Sequence, residues 1–166
     1  MHPAAQDEAE LLKKCELSSG RASGPGGQNR NKVETAVRIS HLPSGVTASA
    51  TERRHKQENR AQAIFRLRVK LAIQVREPAD PGALPSACWS ARVKDKMLAI
   101  NPGHDDFPTL LAEAMDRIAA VQGDVAAAAE ALGVTTSQLL KLLRHEPAAL
   151  DTVNKARQHR GQPRLN

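Results

Sequence analysis

Aromatic side chains are almost missing from this chain: it has no Tyr, one Trp and two Phe in 166 residues. Binding single-stranded bases by stacking needs an aromatic platform, so that mode of recognition is excluded as the main one. Cysteine is nearly as scarce. Cys15 and Cys88 stand far apart and outside any Cys-x-x-Cys spacing. That excludes a Cys-based zinc site and points to two idle thiols in a reducing compartment rather than a structural disulfide. No apolar run approaches the ~18 residues of a membrane span. The acidic start MHPAAQDEAELLKK has no apolar signal core, so a cytoplasmic location without membrane contact is expected. Large core formers are thin as well, since Ala outnumbers Leu by 27 to 17. Two small Ala-packed units suit this length and composition better than one large core.

What the chain does have is charge, unevenly placed. The formal net charge is +6 and the isoelectric point about 9.7. Residues 1–17 are net −2, residues 18–76 net +9, residues 77–101 balanced, residues 102–153 net −5 and residues 154–166 net +4. A basic block of that density reads as a polyanion-binding surface, because each Lys or Arg can neutralise one phosphate and release its counterion. Without aromatics, the contacts should go to phosphate and sugar. The basic helix face Arg53, Arg54, Lys56, Arg60, Arg66 and Lys70 is the candidate, with Arg54, Lys56 and Arg60 as its leading RNA contacts.

The pattern along the chain predicts an α+β unit over residues 1–77. A short helical stretch lies within 7–17, and a strand runs from Leu17 to Arg21. A Gly-rich loop follows, then a hairpin of Thr35–Leu42 and Val46–Thr51 turned by Pro43-Ser44-Gly45. A long helix comes next, from about Glu52 to Val75, with Ala61, Ile64, Phe65, Arg68, Leu71 and Ala72 as its inward stripe. Residues 78–87 contain PADPGALP and read as a linker. Residues 88–153 read as a small hairpin (Trp89–Val93 with Met97–Ile100) plus a helical unit. In that unit Asp124 and Thr135 or Thr136 cap successive helices and Gly133 ends one of them. Residues 154–166 form a basic tail.

The loop carries the chemistry. In Arg21-Ala22-Ser23-Gly24-Pro25-Gly26-Gly27-Gln28-Asn29-Arg30-Asn31-Lys32, two adjacent glycines let another molecule approach the main chain closely. Gln28 offers a neutral amide with two donors and one acceptor. It is a poor general base, but it can orient a water and donate to developing oxyanion charge. The GxxxxGK[ST] pattern of a phosphate-binding P-loop is absent.

This segment, with the His41-Leu42-Pro43-Ser44-Gly45 turn after it, closely resembles the hydrolytic GGQ domain of class I peptide chain release factors. It is most similar to the codon-independent ribosome-rescue hydrolases built on that domain, in register from about Leu17 to Leu71. The family usually has Arg-Ser-Gln-x-x-Asn at the start of its long helix. Here Arg54-His55-Lys56-Gln57-Glu58-Asn59 keeps the Arg and the Asn and replaces Ser-Gln. No stretch resembles the tripeptide stop-codon readers. The resemblance implies hydrolysis of the peptidyl-tRNA ester in the ribosomal peptidyl-transferase centre, with no cofactor and no metal. Gln28 would position the attacking water, and Gly26 and Gly27 would let the backbone reach the tRNA terminus. Arg21, Ser23, Gly24, Asn29, Asn31 and Lys32 would hold the loop against rRNA. Much of the catalysis would fall to ribosomal RNA and the tRNA 2′-hydroxyl. The implied partners are the ribosome with its P-site peptidyl-tRNA and a glutamine methyltransferase acting on Gln28. A monomer is expected. His41 reads as structural.

Val125 to Leu142 reads as a helix-turn-helix core, exposing Thr136, Ser137, Gln138, Lys141 and Arg144 on its second helix. By itself it suggests a second hypothesis, a non-enzymatic RNA- or DNA-binding regulator. The net −5 of residues 102–153 argues against that, since phosphate contact wants a basic footprint. The tail would supply Arg157, Arg160 and Arg164, either as plain disorder or as the channel-threading arm that basic tails form in the resembling rescue hydrolases.

Overall fold

The computed structural model describes residues 1–21 and 34–166. A 3-10 turn (Pro3–Ala5) and helix α1 (Glu8–Leu12) lead into strand β1 (Cys15–Gly20). Strands β2 (Ala36–His41) and β3 (Thr47–Ala50) complete an antiparallel sheet of order β1-β2-β3. Its register pairs Cys15 with His41, Gly20 with Ala36, and Val37 with Ala50. Alternation decides the faces: Val37, Ile39 and His41 are buried while Arg38 is exposed. Ala48 and Ala50 on β3 are small enough for helix α2 (Lys56–Gln74) to lie close against β2 and β3.

Helix α2 begins at Lys56, four residues later than its periodicity suggests. The Asn59 side chain accepts from the Arg53 N–H at 2.9 Å and donates to the Arg53 carbonyl at 3.1 Å. Both main-chain groups of Arg53 are thereby committed outside the helix. The buried positions also differ from the expected stripe. Ala63, Ile64, Leu67 and Leu71 are buried, whereas Ala61 is exposed and Phe65 only half-buried. Val69, Ala72 and Ile73 are buried too. A second neighbour, helix α4 (Phe107–Ala120), packs on α2 beside the sheet, so the buried arc is wider than one stripe.

The Pro-rich segment after α2 is pinned. Arg117 of α4, itself buried, donates to the carbonyls of Pro81 at 2.8 Å and Ala83 at 2.9 Å. The Ser86 N–H donates to Glu113 at 2.8 Å. Ser86 then caps helix α3 (Ala87–Ser90), its hydroxyl accepting from Trp89 N–H at 3.1 Å. Trp89 therefore sits in a helix rather than in the expected hairpin strand. Its ring is fully buried and donates to the Leu132 carbonyl at 2.8 Å. The hairpin itself is short, β4 (Val93–Lys94) with β5 (Met97–Leu98). Helices α5 (Val125–Ala131), α6 (Thr136–Arg144) and α7 (Pro147–His159) follow α4. Asp124 and Thr135 cap α5 and α6 through their side chains, at 3.0 and 3.2 Å.

The tail is a correction to the sequence reading. Residues 154–159 continue α7, and the last residues fold back onto it. Asn154, buried, accepts from the Leu165 N–H at 2.7 Å and donates to the Leu165 carbonyl at 3.1 Å. Arg157 donates to the Pro163 carbonyl at 2.9 Å and to the Gly123 carbonyl. Neither a disordered tail nor an extended arm is present. A buried asparagine bonded to the main chain from both sides holds the terminus in place.

Polar links join the N-terminal turn, α2 and α4 into a continuous core. Arg68 donates to the Ala4 carbonyl at 3.0 Å, the Asp105 carbonyl at 3.0 Å and the Thr109 hydroxyl at 3.2 Å. Arg76 and Asp116 form an ion pair at 2.8 Å. His2 accepts from the Ala4 N–H through Nδ1 at 3.0 Å, which leaves Nε2–H to donate to the Val75 carbonyl at 3.1 Å. Burial pushes the His2 imidazole below its ordinary value. Burial, and then the Lys14 ammonium, do the same to His41.

A histidine with a lowered folded-state pKa keeps its full contribution above the unfolded value of about 6.5 and loses it as pH falls toward the folded value. Urea midpoints should therefore drop between pH 7 and pH 5. A His2→Gln/His41→Gln double variant should flatten that window. An equally steep profile in the double variant would assign the acid sensitivity to carboxylates instead.

Candidate functional site

The loop that carries Gly26-Gly27-Gln28 leaves the sheet at Gly20 and returns at Ala36, where the two residues pair across β1 and β2. Ser23, Gly24, Gly26, Gly27, Gln28, Asn29, Asn31 and Lys32 lie outside the described residues. The structure therefore defines the platform under the loop.

Asn59 is the centre of that platform. It is fully buried on the first turn of α2. Its amide donates to the Thr35 carbonyl at 2.7 Å and to the Arg53 carbonyl at 3.1 Å, and its oxygen accepts from Arg53 N–H at 2.9 Å. Two carbonyls on one side and an N–H on the other determine which way the amide faces. The returning end of the loop, the segment before α2 and α2 itself are thus tied at one residue. On the other stem, Lys56 donates to the Ser19 hydroxyl of β1 at 3.0 Å. The missing Ser-Gln pair is replaced here by a lysine that bridges helix and strand.

The surroundings of the stem are electropositive. Arg21, Arg53, Arg54 and Lys56 are all exposed, and the positive end of the α2 dipole points the same way. Two carboxylates on this side are paired within the protein, while Glu34 and Glu58 are exposed. Glu52 pairs with Arg66, whose hydrogen bond, with that of the Thr51 N–H, lowers its carboxyl to about 2. Glu8 pairs with Arg60 at 3.2 Å.

The expected basic face is therefore partly spent on the fold. Arg60 and Arg66 are in ion pairs, while Arg66 and Lys70 also donate to the Ser49 and Thr47 carbonyls of β3, both at 2.9 Å. Those two bonds cover the open edge of the sheet. Arg21, Arg53 and Arg54 remain exposed beside the loop stem, with Lys56 on the Ser19 hydroxyl. Arg157, Arg160 and Arg164 do not join this group. They lie at the end of α7 and beyond, and Arg160 reaches the far end of α2 near Ile73 and Arg76. Helix α2 is 19 residues long, so about 28 Å of helix separates the two groups.

His41 lies at the opposite end of β2 from the loop. Its Nδ1 bonds the Ser44 hydroxyl at 2.7 Å, and its main chain closes the turn with Gly45 N–H at 2.8 Å. That placement makes it a turn residue, in line with the structural reading. Asn59 is the platform residue that composition and charge do not single out. Its signal was a polar residue at i, i+4 and i+8 with Ala63 and Leu67, on a face that is otherwise apolar. Among the described residues no cluster of His, Cys, Asp or Glu is arranged to hold a metal ion.

Residues 9–84 match the family model of the RF-1 domain. The chain is 50% identical over 62 residues to the chloroplastic peptide chain release factor PrfB1 of Arabidopsis thaliana, covering 37% of this chain and 14% of that protein. It is 45% identical over 85 residues to peptide chain release factor 1 of Chloroherpeton thalassium, covering 47% and 24%. With peptide chain release factor 1 of Acidiphilium cryptum the identity is 50% over 82 residues, covering 48% and 23%. The chain thus spans less than a quarter of the length of these relatives.

Proposed function

Because residues 9–84 place this chain in the class I peptide chain release factor GGQ-domain family, we propose that it hydrolyses the peptidyl-tRNA ester in the ribosomal peptidyl-transferase centre without reading a codon. The observation that carries the reading is the platform. A Gly-Gly-Gln loop springs from a paired stem that Asn59 and Lys56 lock to the long helix. A loop entering a crowded RNA site must keep its tip free to adapt and its base rigid, because a misplacement of about 1 Å costs on the order of a hundredfold in rate.

In this scheme Arg21, Arg54 and Lys56 bind rRNA phosphates around the loop. Ser23, Gly24, Asn29, Asn31 and Lys32 hold the loop itself, and Gly26 and Gly27 bring the main chain against the tRNA terminus. Gln28 orients water at the ester carbonyl and donates to the oxyanion. The leaving group is the ribose hydroxyl of the tRNA. No side chain of the loop is a general base, so proton transfer falls to the RNA. The codon-independent part of the proposal rests on the resemblance of the segment from about Leu17 to Leu71 to the ribosome-rescue hydrolases.

The test is peptide release from purified ribosomes stalled on truncated mRNA, compared with ribosomes carrying sense or stop codons in the A site. Release without any codon requirement supports the proposal. Release confined to stop codons removes the codon-independent part, and no release in any state removes the hydrolase assignment.

A further inference from the structure

The helix-turn-helix element gathers basic residues that the net charge of its segment conceals. Of the eight acidic residues within 102–153, five are committed inside the protein. Asp106 pairs with Arg92, Asp116 with Arg76 and Asp151 with Lys155. Glu113 accepts from Ser86, and Asp124 caps α5. Of the three basic residues, Arg117 is buried under the Pro-rich segment, while Lys141 and Arg144 are exposed on α6, the Arg144 guanidinium donating to the Asn166 carbonyl. Ser137, Lys141 and Arg144 follow i, i+4, i+7 and form one stripe.

The β4–β5 hairpin carries two more exposed cations against the start of α6. Its turn residues Asp95 and Lys96 have φ of +50° and +61°, a two-residue turn with both central residues left-handed. The Lys96 carbonyl accepts from Thr135 N–H at 3.3 Å, and Leu98 N–H donates to the Gln138 side chain at 3.2 Å. The hairpin is therefore fastened along the start of α6, with exposed Lys94 and Lys96 beside it. A shallow cavity of about 300 Å³ between Lys96, Glu130 and Thr136 separates it from α5. Asp95 and Glu130 are the acidic side chains on this face.

We infer that the face formed by the β4–β5 hairpin and α6, with Lys94, Lys96, Lys141 and Arg144, binds the phosphate backbone of double-helical RNA. The inference rests on the ribosomal reading above and adds a second RNA contact to it. Three observations carry it. The cations converge from two elements onto one surface, while the segment's acids are mostly consumed elsewhere. Trp89 and Phe107 are buried, so the face has no ring on which to stack an unpaired base. And α6 is not equipped as a reader of DNA sequence. Gln138, its one exposed-side amide near the N-terminus, is bonded to the hairpin, and Thr136 and Ser137 are short. Such a helix grips backbone and leaves bases unread. That suits A-form RNA, whose deep, narrow major groove admits no helix.

The test compares the full chain with a Lys94→Glu/Lys96→Glu/Lys141→Glu variant, using fluorescence anisotropy on a short RNA duplex and on a DNA duplex of the same sequence across a salt series. Circular dichroism confirms the fold, since all three positions are exposed. The variant should bind RNA at least tenfold more weakly at about 100 mM salt, with a log–log salt slope smaller by roughly two units. Unchanged RNA affinity and slope would overturn the inference, and so would tighter, sequence-dependent binding to DNA. A Gln28→Ala variant should bind the duplex like wild type. Should the wild-type chain release no peptide and the triple variant still lose RNA affinity, the hydrolase reading fails and this one stands.

Discussion

Gln28→Ala should lower the single-turnover rate of peptide release by roughly a hundred- to a thousandfold, the loss typical of removing one donor to a developing oxyanion. Ribosome binding should change by no more than a few fold. The separation follows from where the energy of each step arises. In the proposed scheme binding comes from many phosphate contacts spread over Arg21, Arg54, Lys56 and the loop cations, none of which the substitution touches. Chemistry in that scheme depends on one amide that holds a water against the ester. Gly27→Ala should also slow release with Gln28 intact, because a side chain at this point restricts the main chain where it must pass close to RNA. Quench-flow release assays with pelleting of bound protein measure both quantities. A wild-type release rate in the Gln28→Ala variant would remove the glutamine from the mechanism.

Asn59→Asp should cost about 3–5 kcal/mol, the usual penalty for a buried charge without a counterion. The carboxylate keeps the bond from Arg53 N–H but turns an acceptor toward the Thr35 and Arg53 carbonyls, which now receive donors at 2.7 and 3.1 Å. At this chain length the melting temperature should fall by about 10 °C. Lower pH should recover part of the loss, because a protonated carboxyl can donate once. Release should fall too at temperatures where the variant is folded, although every loop residue is unchanged, because the returning stem is no longer fixed to α2. Melting by circular dichroism from pH 5 to 8, with release measured below the transition, checks both. A wild-type melting temperature would show that the buried amide contributes little, and a wild-type release rate in a destabilised variant would confine Asn59 to stability.

Much of the local architecture was legible in the residues. The β2–β3 hairpin follows from the alternation of Val37 and Ile39 with Arg38 and Ser40, and from Pro43-Ser44-Gly45 between the strands. The caps at Asp124 and Thr135 fell where an oxygen-bearing side chain precedes an apolar run, and Gly133 adopts φ +68° after α5. The proposed loop chemistry is read from adjacent glycines and an amide that lie outside the described residues. These features depend on neighbours within a few positions, which is the range over which sequence periodicity carries information.

The misread features have partners remote in sequence. The periodicity of α2 predicts a one-sided amphipathic helix, but a sheet and α4 both pack on it, so Val69 and Ile73 are buried while Ala61 of the expected stripe is exposed. Arg76 and Arg117 enter the sequence reading only as charge, and Arg68 as part of the inward stripe of α2. Their guanidinium groups instead reach carbonyls or a carboxylate between 34 and 64 positions away in the chain. The terminal basic residues looked like a free arm until Asn154 was seen to hold Leu165. Charge sorting is the largest case. Composition sums the acidic residues of 102–153 into an RNA-repelling total, but folding commits five of the eight to hydrogen bonds, a cap and ion pairs and leaves Lys94, Lys96 and Lys141 exposed, with Arg144 on the Asn166 carbonyl. The residue types and their short-range spacing determined most of the elements. Only the tertiary structure decided which charges remain for a partner, because a charge is neutralised by what lies within a few ångströms of it, whatever the separation along the chain.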